Sequence, residues 1–111
     1  MIPVEHYVTL SAAIFVIGGI GFLVRRNVIV TLMSIEVMLN AVNLALVAFN
    51  RQRFAHTAHQ AYEGYSHTGQ VFVFFIIAAE AAEVAVGLAI VLALYRLRRT
   101  VRSDEADLLK N

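Results

Sequence analysis

The stretch Val71-Phe72-Val73-Phe74-Phe75-Ile76-Ile77-Ala78-Ala79-Glu80-Ala81-Ala82-Glu83-Val84-Ala85-Val86-Gly87-Leu88-Ala89-Ile90-Val91-Leu92-Ala93-Leu94 runs for 24 residues with two charges, Glu80 and Glu83. A hydrocarbon layer about 30 Å thick is crossed by about 20 helical residues, so this stretch spans it with some tilt. No water is present there to satisfy backbone N–H and C=O groups, and at this length a helix is the open-chain solution. Two further stretches lie toward the N-terminus. Tyr7–Val24 has 18 residues without a charge and stops at Arg25-Arg26-Asn27, and Val28–Phe49 has 22 residues broken only by Glu36. The expected fold class is therefore all-α: an integral membrane protein with three transmembrane helices. Those helices are expected at about 5–25, 28–49 and 70–97, with a polar loop over 50–69 and a charged tail over 100–111.

Composition supports this. Of the 111 residues, 59% are hydrophobic and 15% charged, against about 45–50% and about 25% in soluble domains. A chain this short has one small core at most, and that core cannot hide so much apolar surface. Cysteine is absent, which excludes disulfides, thiolate metal sites and iron–sulfur ligation. A net charge of +1 argues against nucleic acid as a partner. The sole proline, Pro3, leaves long helices uninterrupted. The first span is not read as a cleaved leader, because no basic segment precedes it, its arginines follow it, and a second span comes at once.

A connection of three residues makes the first two spans a tight antiparallel hairpin. The Arg25-Arg26 turn and the C-terminus then share one side, with Arg25, Arg26, Arg96, Arg98, Arg99, Arg102 and Lys110 there and Arg51 and Arg53 opposite. Lysine and arginine accumulate on the cytoplasmic side. The expected orientation is an outside N-terminus and a cytoplasmic C-terminus, with the tail from Arg96 onward fraying and its arginines anchoring to anionic lipid.

Glu36, Glu80 and Glu83 carry the chemistry. A charged side chain at the bilayer centre costs roughly 2.5–3.5 kcal/mol on insertion scales, and burial disfavours the charged form of any carboxyl group. A carboxyl that takes up and releases a proton within the membrane is what a proton path requires. At about 1.5 Å per residue from the nearest arginines, Glu36 lies roughly 15 Å deep, Glu83 roughly 20 Å and Glu80 roughly 24 Å. By the same arithmetic Asn40 falls near the depth of Glu83, and Asn43 near that of Glu80. Glu36, Asn40 and Asn43 make one stripe of the second helix, and Glu80, Glu83 and Gly87 one stripe of the third. The expectation is a hydrated polar seam, with Glu36 and Glu83 as the principal groups and Glu80, one turn from Glu83, as a further candidate that tunes it. The bland reading is that such acids only hydrogen-bond a neighbouring helix and hold an assembly together.

Other features rank lower. His56, His59 and His67 lack an acidic or thiolate companion at metal-ligand spacing, and solvated loop histidines are expected. Phe72, Phe74 and Phe75 are packing or lipid-facing bulk. Gly18, Gly19 and Gly21 suit close helix packing.

The quoted acids sit in a wider pattern. Gly21 followed by Arg25-Arg26-Asn27, then Ile35-Glu36-Val37-Met38-Leu39-Asn40-Ala41, then Gly69-Gln70-Val71, then Ala81-Ala82-Glu83-Val84-Ala85-Val86-Gly87-Leu88-Ala89 resembles subunit K of bacterial proton-pumping NADH:quinone oxidoreductase. This is the respiratory complex I subunit called 4L in mitochondria. The likeness runs from Met1-Ile2-Pro3 to about Arg99, with a gap in the second loop. It implies a multi-pass subunit of the membrane arm in the bacterial inner membrane, set among the neighbouring small subunit and antiporter-like subunits. It also implies that Glu36 and Glu83 belong to a hydrophilic axis between the quinone region and the antiporter-like subunits. No cofactor or metal is expected on this chain, with NADH, FMN, iron–sulfur clusters and quinone belonging to other subunits. The subunit would be a non-redox part of the enzyme. Two departures stand out: the loop over 51–67 is longer than the family's compact version, and Glu80 stands where many relatives carry a small residue.

Rival readings differ in countable ways. The small subunit of multi-subunit sodium/proton antiporters shares the three spans but generally lacks this pair of glutamates. A small multidrug exporter has four spans with its acid in the first, and an ATP synthase rotor subunit has two spans and one acid. A non-catalytic assembly scaffold would tolerate amides at positions 36 and 83.

Overall fold

Among the described residues three helices follow one another: α1 (Val4–Val24), α2 (Val28–Thr57) and α3 (Thr68–Arg98), with a short 3-10 turn at Ser103–Glu105. The computed structural model describes residues 2–57, 67–99 and 101–105. All three helices are long and apolar enough to cross a membrane. α2 is central, with α1 packed along one side and α3 more lightly along another.

Each boundary has a local cause. Pro3, with its φ of −60°, precedes α1, where its missing N–H costs nothing. The Arg25–Asn27 turn matches the expected three-residue connection. In it the side-chain Oδ1 of Asn27 accepts from the amide of Ile29 at 2.9 Å, which satisfies an orphan donor of the first turn of α2. α3 ends at Arg99, whose left-handed backbone (φ 55°, ψ 27°) turns the chain sideways, while its amide still bonds the carbonyl of Tyr95.

Two segments depart from expectation. α2 does not stop near Phe49 but continues to Thr57, taking the first part of the expected polar loop into the helix. No glycine or proline interrupts 50–57, and Arg51, Gln52, Arg53 and Ala55 favour helix. A 30-residue helix is about 45 Å long, so its polar last turns stand beyond the hydrocarbon layer. There Arg51 donates to the Tyr7 hydroxyl at 3.3 Å and lies 5.8 Å from that ring's centroid. The second departure is the tail. Instead of fraying from Arg96, α3 runs to Arg98 and the next residues fold back on the α1–α2 turn. The amide of Val28 donates to Val101 O at 2.9 Å, and the amide of Ser103 to Arg26 O at 2.8 Å, with an antiparallel bridge between Asn27 and Arg102. Asp104 pairs with Arg102 at 2.9 Å and Arg26 at 3.3 Å. Arginines and an acid brought together by the turn after Arg99 form a clasp where the charge count alone gives repulsion.

The interior is built of small and polar groups. Ala41, Ala48 and Val91 are buried, with Ser11, Ser34, Asn43 and Glu80 beside them. At Gly18, α1 approaches α2 so closely that a Cβ would lie 2.6 Å from Met38 Cγ and 3.0 Å from the Ser34 carbonyl oxygen. The Ser11 hydroxyl donates to the carbonyl of Ala41 across the same contact. Large apolar residues face outward instead, among them Phe74 and Phe75, each about 70% exposed. This is the arrangement of helices that pack through small residues and leave their bulk to lipid or neighbouring subunits.

The candidate site between the second and third helices

Three of the contacts between α2 and α3 show how the two helices lie against each other. Near the Arg25 end, Leu32 covers Gly87, where a Cβ would come within 2.9 Å of Leu32 Cδ2. At the opposite end the side-chain oxygen of Asn50 accepts from the amide of Gly69 at 3.2 Å, satisfying one of the free donors in the first turn of α3. Between them Asn43 Nδ2 donates to Glu80 Oε1 at 2.9 Å. Leu32, Asn43 and Asn50 are spaced eleven and seven apart, as are Gly69, Glu80 and Gly87. Both intervals return to within about 20° of the same direction on a helix, so each set is one stripe.

This register locates the acids. Four residues along α2 from Leu32 is Glu36, and four residues back along α3 from Gly87 is Glu83. In an antiparallel pair these steps run in the same direction, so Glu36 and Glu83 stand level to within about one turn. The arginine count put them roughly 5 Å apart in depth. Glu36 is half-buried and Glu83 exposed. Glu83 borders an open groove of about 380 Å³ lined by Ala82, Glu83, Val86, Gly87 and Ile90. Among the described residues neither carboxyl has a hydrogen-bonding or ion-pair partner.

Glu80 differs. It is 5% exposed and Asn43 6%, and the two meet across the helix pair, as their similar distances from the arginines lead one to expect. Asn43 Oδ1 is buried without a hydrogen-bond partner among the described residues. The expected stripes are thus brought together only in part. Asn43, Glu80 and Gly87 face the opposing helix, whereas Glu83 and Asn40 lie at the rim, and the Asn40 amide turns back to the carbonyl of Glu36 at 3.0 Å. The sequence reading missed Leu32 and Asn50, although their spacing from Asn43 was the available signal.

Away from the seam, His67 Nδ1 lies 3.1 Å from Gln70 Oε1, while the His56 side chain and all of His59 fall outside the described residues. In the clasp, partial desolvation pushes the Asp104 carboxyl up, but the hydrogen bond and charge of Arg102, helped by Arg26, outweigh it and hold it below its ordinary value.

Comparison with known proteins bears on the whole chain. Residues 6–111 match the family profile of NADH-ubiquinone/plastoquinone oxidoreductase chain 4L. NADH-quinone oxidoreductase subunit K of Sorangium cellulosum is 58% identical over 110 residues, covering 99% of this chain and 97% of that protein. The subunit K proteins of Acidobacterium capsulatum and Persephonella marina are 51% and 48% identical, each over 99% of both chains. With three helices long and apolar enough to cross a membrane and similarity over 99% of the chain, the chain belongs to the NADH-ubiquinone/plastoquinone oxidoreductase chain 4L family and is a multi-pass membrane protein.

Proposed function

We propose that this chain is subunit K in the membrane arm of a proton-pumping NADH:quinone oxidoreductase, where Glu36 and Glu83 relay or couple protons moved at the expense of electron transfer. The observation that carries the reading is the placement of two carboxyl groups within about one turn of each other in height on adjacent helices, with no hydrogen-bonding or ion-pair partner among the described residues. A carboxyl at that depth needs a polar neighbour or water, and the exposed side of Glu83 is where another subunit of the arm supplies one. The chain holds no redox group of its own in this reading. NADH oxidation, flavin, iron–sulfur clusters and quinone chemistry sit in other subunits, and this one contributes protonatable groups. The complex lies in the bacterial inner membrane with the Arg25–Asn27 turn and the clasp cytoplasmic and the N-terminus outside, in keeping with the positive charge at that end.

The test is NADH-driven proton uptake by inverted membrane vesicles carrying Glu36→Gln or Glu83→Gln, with assembly checked on native gels. Assembled complexes with collapsed uptake support the relay. Assembled complexes with normal uptake reduce both acids to structural groups and favour the scaffold reading.

A further inference from the structure

We propose that Asn43 and Glu80 are positioning residues: their buried hydrogen bond fixes the rotation of α3 about its own axis and so fixes the direction in which Glu83 leaves the helix. The inference rests on the relay reading and assigns Glu80 a role other than carrying a proton.

The geometry is specific. Of the three contacts described above, two involve glycines of α3. Leu32 settles on Gly87 and Asn50 accepts from the backbone of Gly69. A glycine offers no side chain to resist turning, so these contacts limit how α3 slides more than how it rotates. At Glu80, by contrast, an α3 side chain reaches across and is held, by Asn43 at 2.9 Å. Both partners are more than nine-tenths buried, so water does not compete for the bond, and breaking it strands a buried polar group. Glu83 follows Glu80 by three residues, about 60° around the helix. At that angle it clears the α2 contact and opens onto the groove with Ala82, Val86 and Ile90. A turn of α3 that released Glu80 swings Glu83 by the same angle, either into the α2 contact or farther from Glu36. A proton step depends on donor and acceptor lying within hydrogen-bond reach, and a displacement of about 1 Å can cost about a hundredfold in rate.

The experiment uses the intact complex in inverted vesicles, with NADH-driven proton uptake normalised to assembled enzyme. Glu80→Gln keeps an acceptor oxygen for Asn43 Nδ2 but has no carboxyl proton, and is expected to pump like wild type. Asn43→Ala and Glu80→Ala break the bond and are expected to lower uptake about tenfold. The exchange Asn43→Glu with Glu80→Asn restores a bond across the same contact and is expected to recover most of the loss. If Glu80→Gln is as defective as Glu80→Ala, the carboxyl itself is required and the proposal falls. It falls equally if the alanine variants pump normally. If those variants do not assemble, the exchange decides, and its failure to recover both assembly and uptake overturns the proposal. Glu83→Gln runs alongside. Its normal uptake removes the relay reading, whereas its failure beside normal alanine variants removes only the positioning role.

Discussion

Glu36 and Glu83 stand within about one turn of each other in height on α2 and α3, each four residues from the contact that seats Leu32 on Gly87. A relay at this level needs the carboxyl group itself. Glu36→Asp and Glu83→Asp keep it on a stem one methylene shorter, and are expected to pump at rates between wild type and the amide variants. The amides are expected to slow uptake about tenfold or more, since a positioned proton-transfer group contributes at least that much. Uptake traces from the four variants at equal complex content check the order.

The α1–α2 hairpin depends on absence of bulk at Gly18. Gly18→Val places carbon atoms where Met38 and the Ser34 carbonyl already lie. The Ser34 carbonyl is backbone and cannot step aside, so the helices must separate. Overpacking of this kind costs about 1–3 kcal/mol. The expected result is a lower thermal midpoint of the detergent-purified complex and less subunit retained in it, while Gly19→Ala, which meets nothing within 4 Å, is neutral by the same assay.

Ser11 bonds a carbonyl of the neighbouring helix rather than its own. Ser11→Ala removes that link without adding volume. A loss of about 0.5–1.5 kcal/mol follows from the net worth of one hydrogen bond, measurable as a modest fall in the same thermal midpoint. A larger effect than that of Gly18→Val would contradict the view that close packing dominates this contact.

The clasp has a defined pH response. Arg102 and Arg26 hold the Asp104 carboxyl below its ordinary value, so its stabilising effect is fully present above the unfolded-state value and is lost as the pH falls through the folded-state value. Acidification into that range is expected to lower the protection factors, the intrinsic exchange rate at each pH divided by the observed one, of the amides of Val28 and Ser103, whose bonds close the clasp. Asp104→Asn is expected to give the lower protection already at neutral pH. Exposed ion pairs weaken in salt, and raised ionic strength shifts protection in the same direction.

How far the sequence could be read differs from place to place. Hydrophobic length alone set the number of spans, and the charged break at Arg25-Arg26-Asn27 set the start of α2, while the cap that Asn27 supplies there became visible only in the structure. Depth counted from the arginines paired Asn43 with Glu80 correctly, because helical rise is nearly constant. Rotation was less legible. A stripe drawn through Glu80, Glu83 and Gly87 covers about 60° of helix surface, and only packing decides which edge of it meets α2. That edge belongs to Glu80, which left Glu83 at the rim. The end of α2 was hidden because apolar length measures the membrane rather than the helix, and Asn50–Thr57 are mostly polar yet helical. The folded-back tail was hidden because it depends on one residue, Arg99, adopting a left-handed backbone that its type does not announce.

The clasp also has a place in the order of biosynthesis. α1, α2 and their turn emerge first, but Val101 and Ser103, which bond to that turn, are made only after α3. Until then the amide of Val28 and the carbonyl of Arg26 lack these partners, and α3 is tied to the hairpin only through α2. Closure of the clasp therefore comes as the last step of folding at this end. It joins the start of α2 to the end of α3 and completes a surface that exists only once all three helices are in place.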